Sequence, residues 1–322
     1  MMELPNFDDI LAAHGRIAGH IVRTPMLRYP LLDELTGGII LIKAEPLQRT
    51  GSFKLRGATN AVLCLSEAQR AAGVVTHSSG NHGQALACAA AASGVHATVF
   101  MPADAPRIKV ESTRRWGADI VHYDRVRDDR EALATGHADR TGAVLVPPFD
   151  HPDVIAGQGT LALELAQDAP APMDALLVCT GGGGLIAGSA LAMGGVSPAT
   201  EVIAVEPEGW DDTARSLAAG TRLANPPGGS ALCDALMAAR PGELTFAINR
   251  ARLAGAVAVS DGNVLAAMAW AFTHLKLVVE PGGAVALAAL LAGRFVARGR
   301  TVGVVLSGGN VDPAVFARAL SG

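Results

Sequence analysis

The chain has 322 residues, 50% of them hydrophobic and 17% charged, which suits about two globular domains and excludes disordered, collagen-like and disulfide-scaffold classes. Its 26 basic and 30 acidic residues leave a net charge of −4 with no run of like charge, so neither nucleic acid nor a membrane surface is an expected partner and a small molecule fits better. A mean hydropathy of +0.31 and an uncharged stretch over 175–200 raise a membrane span as an alternative, but seven glycines and Pro198 within that stretch favour a buried core segment. In chain order, short β-branched runs predict strands at 39–43, 73–77, 97–101, 118–123, 143–146, 175–179, 202–205, 256–259 and 301–306. Ala- and Leu-rich segments predict helices between them, among them 83–93, 107–116, 128–141, 264–276 and 284–293. This alternation predicts an α/β fold of parallel, twisted sheets covered by helices. Gly- and Pro-bearing loops near residue 50 and at Pro147-Pro148 predict a large domain of residues 1–50 and 147–322 and a smaller inserted domain of 51–146.

The N-terminal segment MMELPNFDDI has no basic region and no apolar core of a leader, so the cytoplasm is the expected location. Cys64, Cys88, Cys179 and Cys233 form no CxxC pair, which predicts small buried thiols rather than zinc ligands or disulfides.

Several segments carry candidate chemistry. TGSFKLRGA (50–58) joins a turn to an apolar helix, with Thr50 or Ser52 as the expected cap and Lys54 in the first turn. The positive end of a helix dipole disfavours an ammonium, and desolvation disfavours it further. Lys54 is therefore either a lysine of lowered pKa, as Schiff-base chemistry requires, or an ordinary solvated one. Further on, Ser78, Ser79, Gly80, Asn81 and His82 follow a strand and open an alanine-rich helix. Hydroxyls and free amides there suit a carboxylate; a plain capped loop is the alternative, and His82 reads as a packing histidine.

DALLVCTGGGGLIAG (174–188) reads as strand, glycine loop and helix. Backbone amides at a helix N-terminus, with no side chains in the way, suit a phosphate. Gly182, Gly184 and Ala187 also fit G-x-G-x-x-A, with Glu206 about twenty residues on, so an NAD-dependent dehydrogenase is an alternative of a different class.

Taken together, RTPML (23–27), TGSFKLRGA (50–58), SSGNHGQ (78–84), VIAGQGT (154–160), GGGGL (181–185), VEP (205–207), VVEPGGA (278–284) and LSGGN (306–310) resemble the fold type II pyridoxal-phosphate enzymes, in the threonine/serine dehydratase and serine racemase branch. The resemblance runs in order along nearly the whole chain and implies a tryptophan synthase beta-like fold with a large cofactor-binding and a small substrate-binding domain. It further implies that Lys54 carries pyridoxal 5'-phosphate as a Schiff base, with Phe53 beside the ring. Gly181, Gly182, Gly183, Gly184 and Leu185 would hold the phosphate, Asn81 the ring hydroxyl and Ser307 the pyridine nitrogen. Ser78, Ser79, Asn81, His82 and Arg130 would receive the amino-acid substrate. Glu206, the Trp210 carbonyl and Asp212 match positions that hold a cation in serine-racemase-like members, Mg2+ first and Ca2+ or Mn2+ otherwise.

The implied reaction is elimination of water and then ammonia from a β-hydroxy amino acid, L-threonine or L-serine first, with hydroxyaspartate open. Lys54 would act as the base, and a homodimer is implied. Racemisation by Ser79 is the alternative within the family, because serine replaces the alanine usual in threonine dehydratases at that position. Phe149 is dehydratase-like, while Pro147 and Ala235 depart from the residues usual at their positions and bear on the substrate.

Overall fold

The computed structural model describes residues 3–321 apart from positions 79, 106, 125 and 227. Ten strands among these residues form two sheets. The strands are β1 (Met26–Leu27), β2 (Ile39–Ala44), β3 (Val74–His77), β4 (Ala97–Pro102), β5 (Asp119–Tyr123), β6 (Val144–Leu145), β7 (Ala175–Cys179), β8 (Glu201–Pro207), β9 (Gly255–Val259) and β10 (Thr301–Leu306). The larger sheet has the order β1-β2-β10-β7-β8-β9 and the smaller β5-β4-β3-β6. Every pairing is parallel except that of β1 on β2. A two-residue edge strand carries no readable alternation, so β1 was absent from the predicted set.

The helices are α1 (Phe7–Ile17), α2 (Pro30–Thr36), α3 (Lys54–Leu63), α4 (Glu67–Ala72), α5 (Asn81–Ala92), α6 (Arg107–Arg114), α7 (Arg130–Thr141), α8 (Pro152–Asp168), α9 (Gly184–Val196), α10 (Asp212–Ala219), α11 (Glu243–Arg252), α12 (Asp261–Trp270), α13 (Pro281–Leu291) and α14 (Pro313–Ser321). α9 and α13 contain no charged residue and are buried on nearly every face, as a helix apolar all round must be. The uncharged stretch 175–200 is thus β7, a glycine turn and α9, and none of the described helices is long and apolar enough to cross a membrane. Cys88, Cys179 and Cys233 are buried as expected; Cys64 is not, because it caps the exposed end of α3.

Glycines bring three helices into backbone contact. A Cβ on Gly157 of α8 would lie 2.6 Å from Gly57 Cα of α3, and one on Gly188 of α9 would lie 2.3 Å from the Ile155 carbonyl of α8. Such packing leaves no room to slide. It ties the helix that begins at Lys54 to the helix that follows the glycine turn.

Beneath α3 lies a fully buried ionic cluster. Arg56 donates to Glu45 (Nε–Oε2 2.9 Å) and Glu164 (Nη1–Oε1 2.8 Å), and Lys43 Nζ donates to Glu164 Oε2 at 2.7 Å. Two cations and two carboxylates balance, which is how charge is tolerated without water.

The cap of α3 differs from expectation. Phe53 takes the N-cap position with no side-chain bond, and the hydroxyls of Thr50 and Ser52 are buried without partners. The end of β10 has claimed this backbone: Ser52 bridges Gly308, and Phe53 N donates to the Ser307 carbonyl at 3.0 Å.

Candidate active site

The candidate residues converge where the head of α3, the 147–149 segment and the glycine turn meet. Lys54 opens α3, its Nζ donating to the Pro148 carbonyl at 2.6 Å and lying 5.1 Å from the Phe53 ring centroid. Burial pushes its ammonium down to about 8. Ser307 follows β10 and is buried; Cys179 ends β7, its thiol pushed up to about 12 by burial and bonded to the Ser307 side chain.

Gly181 to Gly183 turn the chain from β7 into α9, which begins at Gly184. Gly183 is at φ +93°, a conformation open to glycine alone without strain, and as N-cap it leaves the first amides of α9 without a side-chain partner. A Cβ on Gly182 would lie 2.4 Å from the Phe149 ring, and one on Gly181 would lie 2.9 Å from Leu236 Cα. These contacts explain why the turn needs consecutive glycines. They also make Phe149 and Leu236 its walls.

The loop after β3 leads into α5, whose first residue reaches the segment before α13. Ser78 Oγ accepts from Gly80 N at 3.3 Å; Ser79 lies outside the described residues. Asn81 starts α5 and donates through Nδ2 to Glu280 Oε1 at 2.6 Å, while its Oδ1 accepts from Asn310 Nδ2 at 2.8 Å. Glu280 is pushed up to about 8, chiefly by burial. His82 Nε2 lies 2.9 Å from the Val146 carbonyl and so carries the hydrogen; burial drives its pKa down to about 3, and its Nδ1 has no partner. His82 is therefore a neutral tether between α5 and the end of β6. Arg130 stands exposed at the start of α7, its positive charge adding to the burial that depresses His77.

Glu280, Asn310 and Cys179 had no role in the sequence-based expectations. The available signal for Glu280 was an acidic residue placed just before an uncharged helix. Asn310 had only its place in LSGGN.

The proposed cation residues follow the end of β8, whose Val205 carbonyl accepts from Thr180 N just before the glycine turn. Glu206, fully buried at the end of β8, accepts from Thr213 N and Ala214 N at 2.9 Å each, and burial pushes it up to about 8. Its carboxylate is engaged with the start of α10, which disfavours the ribose role of the dinucleotide alternative. Asp212, pushed up to about 6 by burial, accepts from Asn225 Nδ2 at 2.6 Å through Oδ1, while its buried Oδ2 has no partner. Trp210 turns its indole N–H to the Ser230 carbonyl at 2.7 Å. No group of three His, Cys, Asp or Glu side chains that could hold a metal occurs among the described residues. A cation here would need backbone carbonyl and water ligands, and the orphaned Asp212 oxygen is suited to it.

Comparison with known proteins supplies an independent line. A family model described as "Pyridoxal-phosphate dependent enzyme" matches residues 17–308. The chain is 43% identical over 323 residues to the L-threo-3-hydroxyaspartate ammonia-lyase of Pseudomonas sp, covering the full length of both. Among solved structures it is similar to maize serine racemase (TM-score 0.93, 37% identity, 99% of this chain and 98% of that one). It is also similar to a serine racemase from Dictyostelium discoideum (TM-score 0.88, 37% identity, 96% and 99%) and to a solved threonine deaminase (TM-score 0.89, 44% identity, 96% and 99%).

Proposed function

Because the chain belongs to the pyridoxal-phosphate-dependent enzyme family, we propose that it is an ammonia-lyase that converts a β-hydroxy amino acid to a 2-keto acid and ammonia, with 3-hydroxyaspartate as the leading substrate. The observation that carries this reading is Lys54, a desolvated lysine at the head of a helix, set in one site with backbone amides that no side chain caps. The residues fit the cofactor. Gly181 to Gly184 and Leu185 form a cradle at the start of α9, Phe53 lies beside Lys54, Ser307 is buried at the end of β10 next to the bond from Phe53 N, and Asn81 is aimed by Glu280 and Asn310. When bound, pyridoxal phosphate supplies an electron sink that acidifies the substrate α-hydrogen.

Lys54 in its neutral form then has two tasks: nucleophile toward the cofactor aldehyde, and base for the α-proton at Nζ. Ser78 and the amides at the start of α5 hold the α-carboxylate, with Arg130 adding charge from the rim. Phe149 and Leu236, packed against the glycine turn, would limit the access of bulk water to the reacting carbon. One water leaves with the β-hydroxyl and one returns on hydrolysis, so the net products are keto acid and ammonia. Racemisation is the second reading, favoured by serine at position 79 and by the similarity to maize serine racemase.

A panel of L- and D-β-hydroxy amino acids, with keto acid and inverted enantiomer measured separately, tests both. Keto acid is expected in excess from L-threo-3-hydroxyaspartate. Inversion without keto acid would overturn the lyase reading.

Glu206, the Trp210 carbonyl and Asp212 are proposed to hold Mg2+, with Ca2+ or Mn2+ as substitutes. Mg2+ at about a hundredfold excess over its Kd should then stabilise the folded chain by about 2.7 kcal/mol. Asp212→Asn is expected to remove that gain, measured as the Mg2+-dependent rise in Tm; an equal rise in the variant would overturn the assignment.

A further inference from the structure

We propose that Lys109 selects the substrate side chain: its ammonium exchanges Asp234 for the distal carboxylate of a dicarboxylic amino acid. This rests on the site of the preceding section and names the residue that reads its substrate class. Lys109 lies on α6 and Asp234 in the loop after α10, and Lys109 Nζ meets Asp234 Oδ2 at 2.6 Å.

Both partners border the reacting groups. Asp234 is followed by Ala235 and Leu236, which close on the N-terminal turn of α13 at Gly282 and, through Leu236, on Gly181. α6 packs on α5, whose first residue is Asn81. Both charges reach Glu280, which is bonded to Asn81, with opposite signs. The pair therefore lies on the side of the site where Leu236 walls the glycine turn and Glu280 holds Asn81.

Its asymmetry indicates how it works. The Asp234 side chain is 55% exposed and can swing into water when displaced, whereas that of Lys109 is only 26% exposed and stays in the wall. An ion pair open to solvent on one side holds its partners weakly, so the exchange is cheap. Phe149, Pro148 and Leu236 carry no charge, and the buried Glu280 carboxyl, bonded to Asn81, offers a second carboxylate no positive partner. A second carboxylate brought there needs a cation, and Lys109 supplies it. Serine or threonine makes no such demand and leaves the pair closed.

The test reads binding to the holoenzyme from the cofactor's absorbance, with L-aspartate and L-alanine as probes that have no β-hydroxyl to lose. Wild type is expected to prefer aspartate. Lys109→Gln should lower the aspartate-to-alanine affinity ratio about 10- to 100-fold, the loss of one charge-assisted contact. Asp234→Asn should raise it by freeing Lys109. A purely structural latch would shift both variants the same way. That outcome, an unchanged ratio in Lys109→Gln, or no preference in wild type would each overturn the proposal. Turnover is not needed for the measurement, so an absence of keto acid with the ratio effect intact would overturn only the lyase reading.

Discussion

Lys54→Ala is expected to abolish turnover, with kcat lowered at least about a thousandfold, because the substitution removes both nucleophile and general base. The same variant should lose the borohydride-fixable attachment of pyridoxal phosphate, seen as loss of labelled protein by mass spectrometry. The pH dependence has a definite sign. Burial moves the Lys54 ammonium from its ordinary 10.5 down to about 8, so the neutral amine predominates above about 8 and falls tenfold per unit below it. Cofactor uptake by the apoprotein should rise with pH up to about 8 and then level. A profile that kept rising toward 10.5 would mean that Lys54 is solvated and that its place at the head of α3 does not tune it.

The second large effect is on stability. Arg56→Met should destabilise the fold by about 3–5 kcal/mol, read from the urea midpoint, because it strands the buried Glu45 and Glu164 with Lys43 as the remaining cation of the cluster. Adding Glu45→Gln should recover part of the loss; no recovery would show that the cost is packing rather than charge. Burial opposes ionisation of Glu164, yet hydrogen bonds and charge from Arg56, joined by Lys43, hold its carboxyl below its ordinary 4.5. A depressed folded-state pKa gives stability that is present above 4.5 and lost as pH falls through the folded value. Wild type should therefore lose stability in acid more steeply than a variant with the cluster made neutral. Since Arg56 lies two residues beyond Lys54 on the same helix, weakened cofactor retention should accompany the lost stability.

Much of the fold was legible because its signals are local. The strand candidates at 39–43, 175–179 and 301–306 coincide with β2, β7 and β10 to within a residue, since strands buried on both faces read as continuous apolar runs. The glycine turn was legible for the same reason: four glycines between a strand and a helix have few uses. What was lost depends on partners distant in sequence. The expected Thr50 or Ser52 cap gave way because β10, some 250 residues on, took over that backbone. Local propensity yields when a tertiary bond satisfies the same group.

The sequence by itself determined the α/β class, the lysine at a helix start and the glycine turn between strand and helix, all of which are written in short-range spacing and composition. Only the tertiary structure decided which carboxylates attend the site. Asn81 and Glu280 are 199 residues apart, Lys109 and Asp234 are 125 apart, and Arg56 and Glu164 are 108 apart. A side chain's charge state and reach depend on desolvation and on neighbours that chain folding alone brings within about 3 Å, and no local pattern encodes them.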